Sequence, residues 1–114
     1  MAYQFSDANF QSEVIDSGKL TVVDLWAEWC GPCKMMNPVI EELSAEYEGR
    51  AVIGKLNVDD NPNIPTSYSV RGIPTFLIFK GGVLQDKVVG AQTKEALKNK
   101  IEALLDKKPA LAVA

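Results

Sequence analysis

The chain has 114 residues, 46% of them hydrophobic and 24% charged, with a formal net charge of -3. That composition fits one globular domain with its own core and argues against disorder or a small scaffold held by cysteine staples. Lysines are dispersed without a basic stripe and no stretch approaches the roughly 20 apolar residues of a membrane span, so neither nucleic acid nor a membrane is an expected partner.

The opening stretch MAYQFSDANF lacks the charged and apolar regions of an export signal. A soluble protein of a reducing compartment, the cytoplasm, is therefore expected. From Ser6 to Ser17 a capping residue, apolar Phe10 and Val14 four apart, and a closing Gly18 predict a short helix. Leu20 to Trp26 is nearly continuous in apolar and β-branched residues, the pattern of a strand covered on both faces. After the cysteines, Met36, Val39, Ile40, Leu43 and Tyr47 recur at helical spacing opposite Glu41, Glu42 and Glu46, with Gly49 as the stop and Pro38 expected to bend the helix. Ala51 to Val58 reads as a second buried strand. The segment DDNPNIPTSY reads as loop with one helical turn beginning near Pro65. Thr75 to Lys80 and Val83 to Val89 are strands joined across Gly81 and Gly82, the signature of an antiparallel hairpin. Thr93 caps a last helix with a stripe of Leu97, Ile101, Leu104 and Leu105, and Lys107 and Lys108 are placed to complement its dipole. The order read along the chain is βαβαβ, then ββα, with no residues assigned to the first strand. Residues 1–108 are read as one α/β domain and 109–114 as a short tail.

Both cysteines lie in WCGPCK, as Cys30 and Cys33, and the chain has no histidine. Structural zinc needs four protein ligands and catalytic zinc usually three, so two thiolates without histidine make a poor metal site. A disulfide closing so small a ring stabilises by only about 2 kcal/mol on chain-entropy grounds, and strain can cancel that gain. Redox chemistry is the stronger reading. The strand ending near Ala27 and the helix beginning around Gly31 place Cys30 at the helix start, where unpaired amides and the positive end of the helix dipole stabilise a thiolate. Cys33, one turn inside, is the natural resolving thiol. Pro32 suits the first turn, where its missing donor has no partner to lose. A histidine between the cysteines would favour the dithiol and make a stronger oxidant; Gly31 and Pro32 add no such charge, so the pair is expected to give electrons away.

Two charges stand in apolar strands: Asp24 in TVVDLWA and Lys55 in VIGKLNV. Burial raises a carboxyl pKa, and such a group six residues before Cys30 can take the proton from Cys33 as it attacks a mixed disulfide. Lys55 reads equally well as half of a structural ion pair.

With DLWAEWCGPCK, KLNVDDNP, RGIPTFLIFK and VVGA in order, the chain resembles the thioredoxin family from about Phe5 to Leu105. The resemblance implies a thioredoxin fold, a central mixed five-stranded sheet flanked by about four helices, and protein-disulfide reductase activity. It supports Cys30 as nucleophile, Cys33 as resolving thiol, Asp24 as buried proton acceptor and Lys55 as its neighbour. It marks Ile73–Pro74 as a cis peptide beside the cysteines, leaving the Ile73 backbone free to pair with substrate. Trp29, Val58, Gly72, Ile73, Pro74, Gly90 and Ala91 match an apolar docking face around the redox turn of Gly31 and Pro32. Family members commonly carry alanine where this chain has Pro65, which is expected to delay the helix there.

The function expected is transfer of electrons to protein disulfides by a monomer. No cofactor is expected, and the absence of a nucleotide-binding fingerprint means that a separate reductase of the thioredoxin-reductase kind must restore the dithiol. The rivals are an oxidase or isomerase of an oxidising compartment, and a binding module that uses the apolar face with the redox pair incidental.

Overall fold

The run of Val22, Val23 and Leu25 demands apolar cover on both faces of its strand, and the computed structural model, which describes residues 1–106, supplies it. Lys107, Lys108 and the tail 109–114 lie outside the described residues. The elements are β1 (Tyr3–Phe5), α1 (Gln11–Ile15), β2 (Thr21–Trp26), α2 (Gly31–Glu46), β3 (Val52–Asn57), α3 (Asn63–Ser67), β4 (Thr75–Lys80), β5 (Val83–Val89) and α4 (Lys94–Leu105). The strands form one sheet in the order β1-β3-β2-β4-β5. β1, β3 and β2 run parallel, whereas β4 is antiparallel to both β2 and β5.

Alternation along the strands sends side chains to two cores. On one face Val22, Ile53, Phe76 and Ile78 meet Met36, Ile40, Leu43 and Tyr47 of α2 and Leu97 and Ile101 of α4. On the other, Val23, Leu25, Leu56, Leu77 and Phe79 meet Phe10 and Val14 at α1, Ile64 of α3 and Tyr68 just after it. There Phe79 takes edge-on contacts from Phe10 and Tyr68, with ring centres 5.5 and 5.4 Å away, the arrangement aromatic quadrupoles favour. Each large apolar side chain so buried contributes about 1.5–3 kcal/mol.

The hairpin and last helix follow the sequence reading. Gly81 and Gly82 both have positive φ, 62° and 77°, as the primed two-residue turn requires. The Thr93 hydroxyl accepts from the Ala96 amide at 3.1 Å and caps α4. Helix α2 runs through Pro38 without interruption.

Three elements differ from expectation. β1, the first strand of the expected order, has no residue range in the sequence reading; it is three residues long and exists through its pairing with Gly54, Lys55 and Leu56 of β3. The first helix is shorter than Ser6–Ser17. Ser6 and Asn9 cap one another as a helix start would, yet Gln11–Ile15 is wound as a π-helical turn, closed by the Asp16 amide on the Gln11 carbonyl at 2.8 Å. Helix α3 starts at Asn63, ahead of Pro65 rather than at or after it. Its first amides are held from outside, Asn63 and Ile64 donating to the two carboxylate oxygens of Asp7 at 3.0 and 2.9 Å. Pro65 stands in the first turn, where no amide donor is required.

β1 can pair because residue 54 has no side chain. A Cβ there would stand 2.5 Å from the Tyr3 carbonyl oxygen and 2.6 Å from the Phe5 ring. Gly54→Ala is expected to push β1 off the sheet and destabilise the fold by about 2–3 kcal/mol, read as a lower urea midpoint. An unchanged midpoint would show that β1 contributes nothing to the sheet.

Candidate active site

The cysteine pair sits where β2 delivers the chain to α2. The Cys30 amide donates to the Ala27 carbonyl at 3.1 Å, closing a turn. Cys30 itself is the N-cap, in extended conformation (φ -92°, ψ 105°), and its sulfur accepts the Cys33 amide at 3.2 Å. A sulfur here does what a capping hydroxyl or carboxylate does elsewhere: it satisfies one of the orphan donors of the first turn. Pro32 falls in that turn and needs no partner. Cys30 and Cys33 are joined as a disulfide with their Cα atoms 5.3 Å apart. Cys33 is fully buried and Cys30 shows 5% of its surface, so Cys30 is the member of the pair that reaches solvent. The Ile73 carbonyl oxygen lies 3.9 Å from the Cys30 sulfur, in the cis Ile73–Pro74 segment.

The strand that leads to the pair carries polar groups in an apolar setting. Asp24 is fully buried, and neither carboxylate oxygen has a hydrogen-bond partner among the described residues. Burial raises its pKa from the ordinary 3.8 to about 7, against the opposing pull of the Lys55 charge. Lys55 stands opposite Asp24 in the β2–β3 register. Its ammonium is not bonded to the carboxylate but lies over the Trp26 ring, 5.0 Å from the ring centre, a cation–π contact. The Trp26 indole nitrogen and the Asn37 carbonyl oxygen are also buried without partners among the described residues. Asp24, Lys55 and Phe76 share the sheet face covered by α2 and α4, by the alternation that sends Val22 and Ile78 there.

Beside the pair opens an apolar groove of about 330 Å³ lined by Trp29, Val58, Pro65, Val70, Arg71, Gly72 and Ile73. Trp29 is 70% exposed, and its indole N–H donates to Asp59 Oδ2 at 2.9 Å, which ties the ring to the loop after β3. Of the docking residues expected from sequence, the groove gathers Trp29, Val58, Gly72 and Ile73. Gly31 and Pro32 stand exposed in the redox turn. Pro74 is buried, and its carbonyl accepts the Gly90 amide at 2.8 Å, so Gly90 and exposed Ala91 lie outside the groove at the end of β5. Pro65, Val70, Arg71 and the Asp59 tether were not foreseen. The sequence signal for them is that Asp59 and Arg71 lie inside KLNVDDNP and RGIP, and that Val70 adjoins the latter.

Among the described residues no helix is long and apolar enough to cross a membrane. The family model "Thioredoxin" matches residues 1–103. The chain is 54% identical over 100 residues to "Thioredoxin" of Chlorobaculum thiosulfatiphilum, covering 88% of this chain and 93% of the relative. It is 52% identical over 100 residues to "Thioredoxin 2" of Chlorobaculum tepidum, covering 88% and 92%. To "Thioredoxin" of a Synechocystis species it is 50% identical over 102 residues, covering 90% and 95%. With the Cys30–Cys33 pair capping α2, these likenesses establish that the chain belongs to the thioredoxin family of thiol–disulfide oxidoreductases.

Proposed function

We propose that Cys30 is the attacking thiolate, Cys33 the resolving thiol and Asp24 the proton acceptor of a reductase acting on protein disulfides. The observation that carries this reading is the Cys30 sulfur at the open end of a 16-residue helix, accepting the Cys33 amide at 3.2 Å beside an apolar groove. The amide and the helix dipole favour negative charge on that sulfur. The Cys30 thiolate attacks one sulfur of the substrate disulfide, forms a mixed disulfide and releases the other substrate sulfur as thiolate. Cys33 then gives its proton to the Asp24 carboxylate and attacks the Cys30 sulfur. The second substrate thiolate leaves, and two electrons have passed from the dithiol to the substrate.

A carboxyl titrating at about 7 is ionised often enough to accept the proton and basic enough to hold it. Lys55 acts through Asp24 and Trp26, as a positioning charge. Trp29, Val58, Gly72 and Ile73 supply the apolar contact for substrate, and the Ile73 backbone pairs with it in the manner of an added strand. Gly31 and Pro32 in the redox turn, Pro74 beneath the Gly90 amide, and Gly90 and Ala91 at the end of β5 extend the proposed docking face beyond the groove. The exposed Ala91 and the open space before Gly90 support close approach of a partner there. The chain works as a monomeric domain of the cytoplasm, re-reduced by a separate thioredoxin-reductase-type donor. A binding module with an incidental redox pair is not favoured, because a sulfur spent on capping α2 serves reactivity and does nothing for docking.

Cys33→Ser is expected to trap substrate as a stable mixed disulfide on Cys30, and Cys30→Ser to trap none, as seen by non-reducing electrophoresis and mass spectrometry. Capture through Cys33 in the second variant would reverse the two roles.

Asp24→Asn is expected to slow release of the mixed disulfide by about 10²-fold or more at pH 7 while leaving the first attack near the wild-type rate, as resolved by stopped flow. Equal loss in both steps would remove Asp24 from the proton path.

The same carboxyl makes a stability statement. The folded chain keeps this proton up to about pH 7, whereas the unfolded chain releases it near pH 3.8, so the native state loses stability as pH rises through that window. At about 1.4 kcal/mol per pH unit the loss amounts to about 4 kcal/mol. Asp24→Asn should thus be the more stable protein at pH 8, by up to that amount, with the difference fading below pH 4 in denaturant titrations. A pH-independent difference would mean that Asp24 is not buried as a titrating acid.

A further inference from the structure

The wall of the groove formed by Pro65 and Val70–Ile73 is the C-terminal exit of α3, a helix of five residues. So short a helix has no stability of its own and depends on what holds its ends. The exit is a Schellman turn: the Val70 amide donates to the Pro65 carbonyl at 2.8 Å and the Ser69 amide to the Thr66 carbonyl at 3.2 Å. Such a turn needs a left-handed residue at its pivot, normally glycine. Here the pivot is Ser69, with φ 55°, where a Cβ makes this conformation unfavourable.

What offsets that cost comes from the far edge of the sheet. Lys87, on β5, places its ammonium 3.2 Å from the Tyr68 carbonyl oxygen and 3.2 Å from that of Ser69. These are acceptors at the negative end of α3, one of them belonging to the strained residue itself. A cation donating to both is the charge a helix C-terminus favours. Three residues beyond Ser69 the chain enters Gly72 and Ile73, whose carbonyl stands 3.9 Å from the Cys30 sulfur.

We propose that Lys87 is a positioning residue for substrate docking: by gripping the Tyr68 and Ser69 carbonyls it holds the groove wall and the Ile73 backbone in the geometry that receives a polypeptide disulfide. This rests on the disulfide-reductase reading of the site. Lys87 touches neither cysteine nor substrate, so its contribution belongs to binding of an extended chain and not to the sulfur chemistry.

The test uses the full chain, with insulin as the polypeptide disulfide and dithiothreitol as the regenerating thiol, beside a small aromatic disulfide dye that needs no groove. Lys87→Met keeps the aliphatic stem and removes the charge. It is expected to raise KM for insulin two- to fivefold with kcat, the equilibrium with glutathione and the rate toward the dye unchanged. Lys87→Arg, which can still donate to both carbonyls, should stay at the wild-type KM. A wild-type KM in Lys87→Met, or an equal loss toward insulin and dye, overturns the proposal while leaving the reductase reading intact. Failure of the wild-type chain to reduce insulin would remove that reading and this one together.

Discussion

A helix with no partner for its first amides must find an acceptor, and in this fold the acceptor at the head of α2 is the sulfur of Cys30. The rest of the site follows from that constraint. β2 has to end at Trp26 so that a short turn can present Cys30 at the cap. The three-residue separation has to bring Cys33 one turn into the helix, where it is closed off from solvent. The same electrostatics that satisfy the helix end favour negative charge on the capping sulfur, which is what the attacking role proposed for Cys30 requires.

The second constraint opposes the first in energetic sign. Asp24 stands in the middle of β2 with its oxygens unpartnered and fully buried, and burial of an unpaired carboxyl costs stability. Lys55 reduces that cost without removing it, since its ammonium faces the Trp26 ring. The core above and below, from Val22 to Ile101 on one face and from Phe10 to Phe79 on the other, is what allows the fold to carry such a group. Substitution by an apolar or amide residue would relieve that cost and remove the proton acceptor proposed for Cys33.

How far the sequence alone discloses this arrangement depends on whether a feature is set locally. The β4–β5 hairpin and α4 are legible to the residue because Gly81, Gly82 and Thr93 act on their immediate neighbours. The placement of Cys30 is legible for the same reason. β1 is not, because three alternating residues become a strand only when Gly54 leaves room for them. The start of α3 is not, because its cap is Asp7, far away in sequence. The ion pair considered for Lys55 gives way to a contact with Trp26 two positions along the neighbouring strand, a choice that register decides and residue type does not. Pro65, Val70 and Arg71 belong to the groove only because the Schellman turn at Ser69 folds them against Trp29 and Val58.

Gly31 and Pro32 between the cysteines add no charge that would favour the dithiol, and the Cys30–Cys33 ring closes within one helical turn. The central claim, that this pair gives its electrons to other disulfides, is therefore most directly tested by its equilibrium with a series of glutathione redox buffers, followed through the fluorescence of Trp26 and Trp29. The pair is expected to be more reducing than glutathione, with the ring re-forming reversibly. A pair more oxidising than glutathione, or one that does not close reversibly, would contradict it.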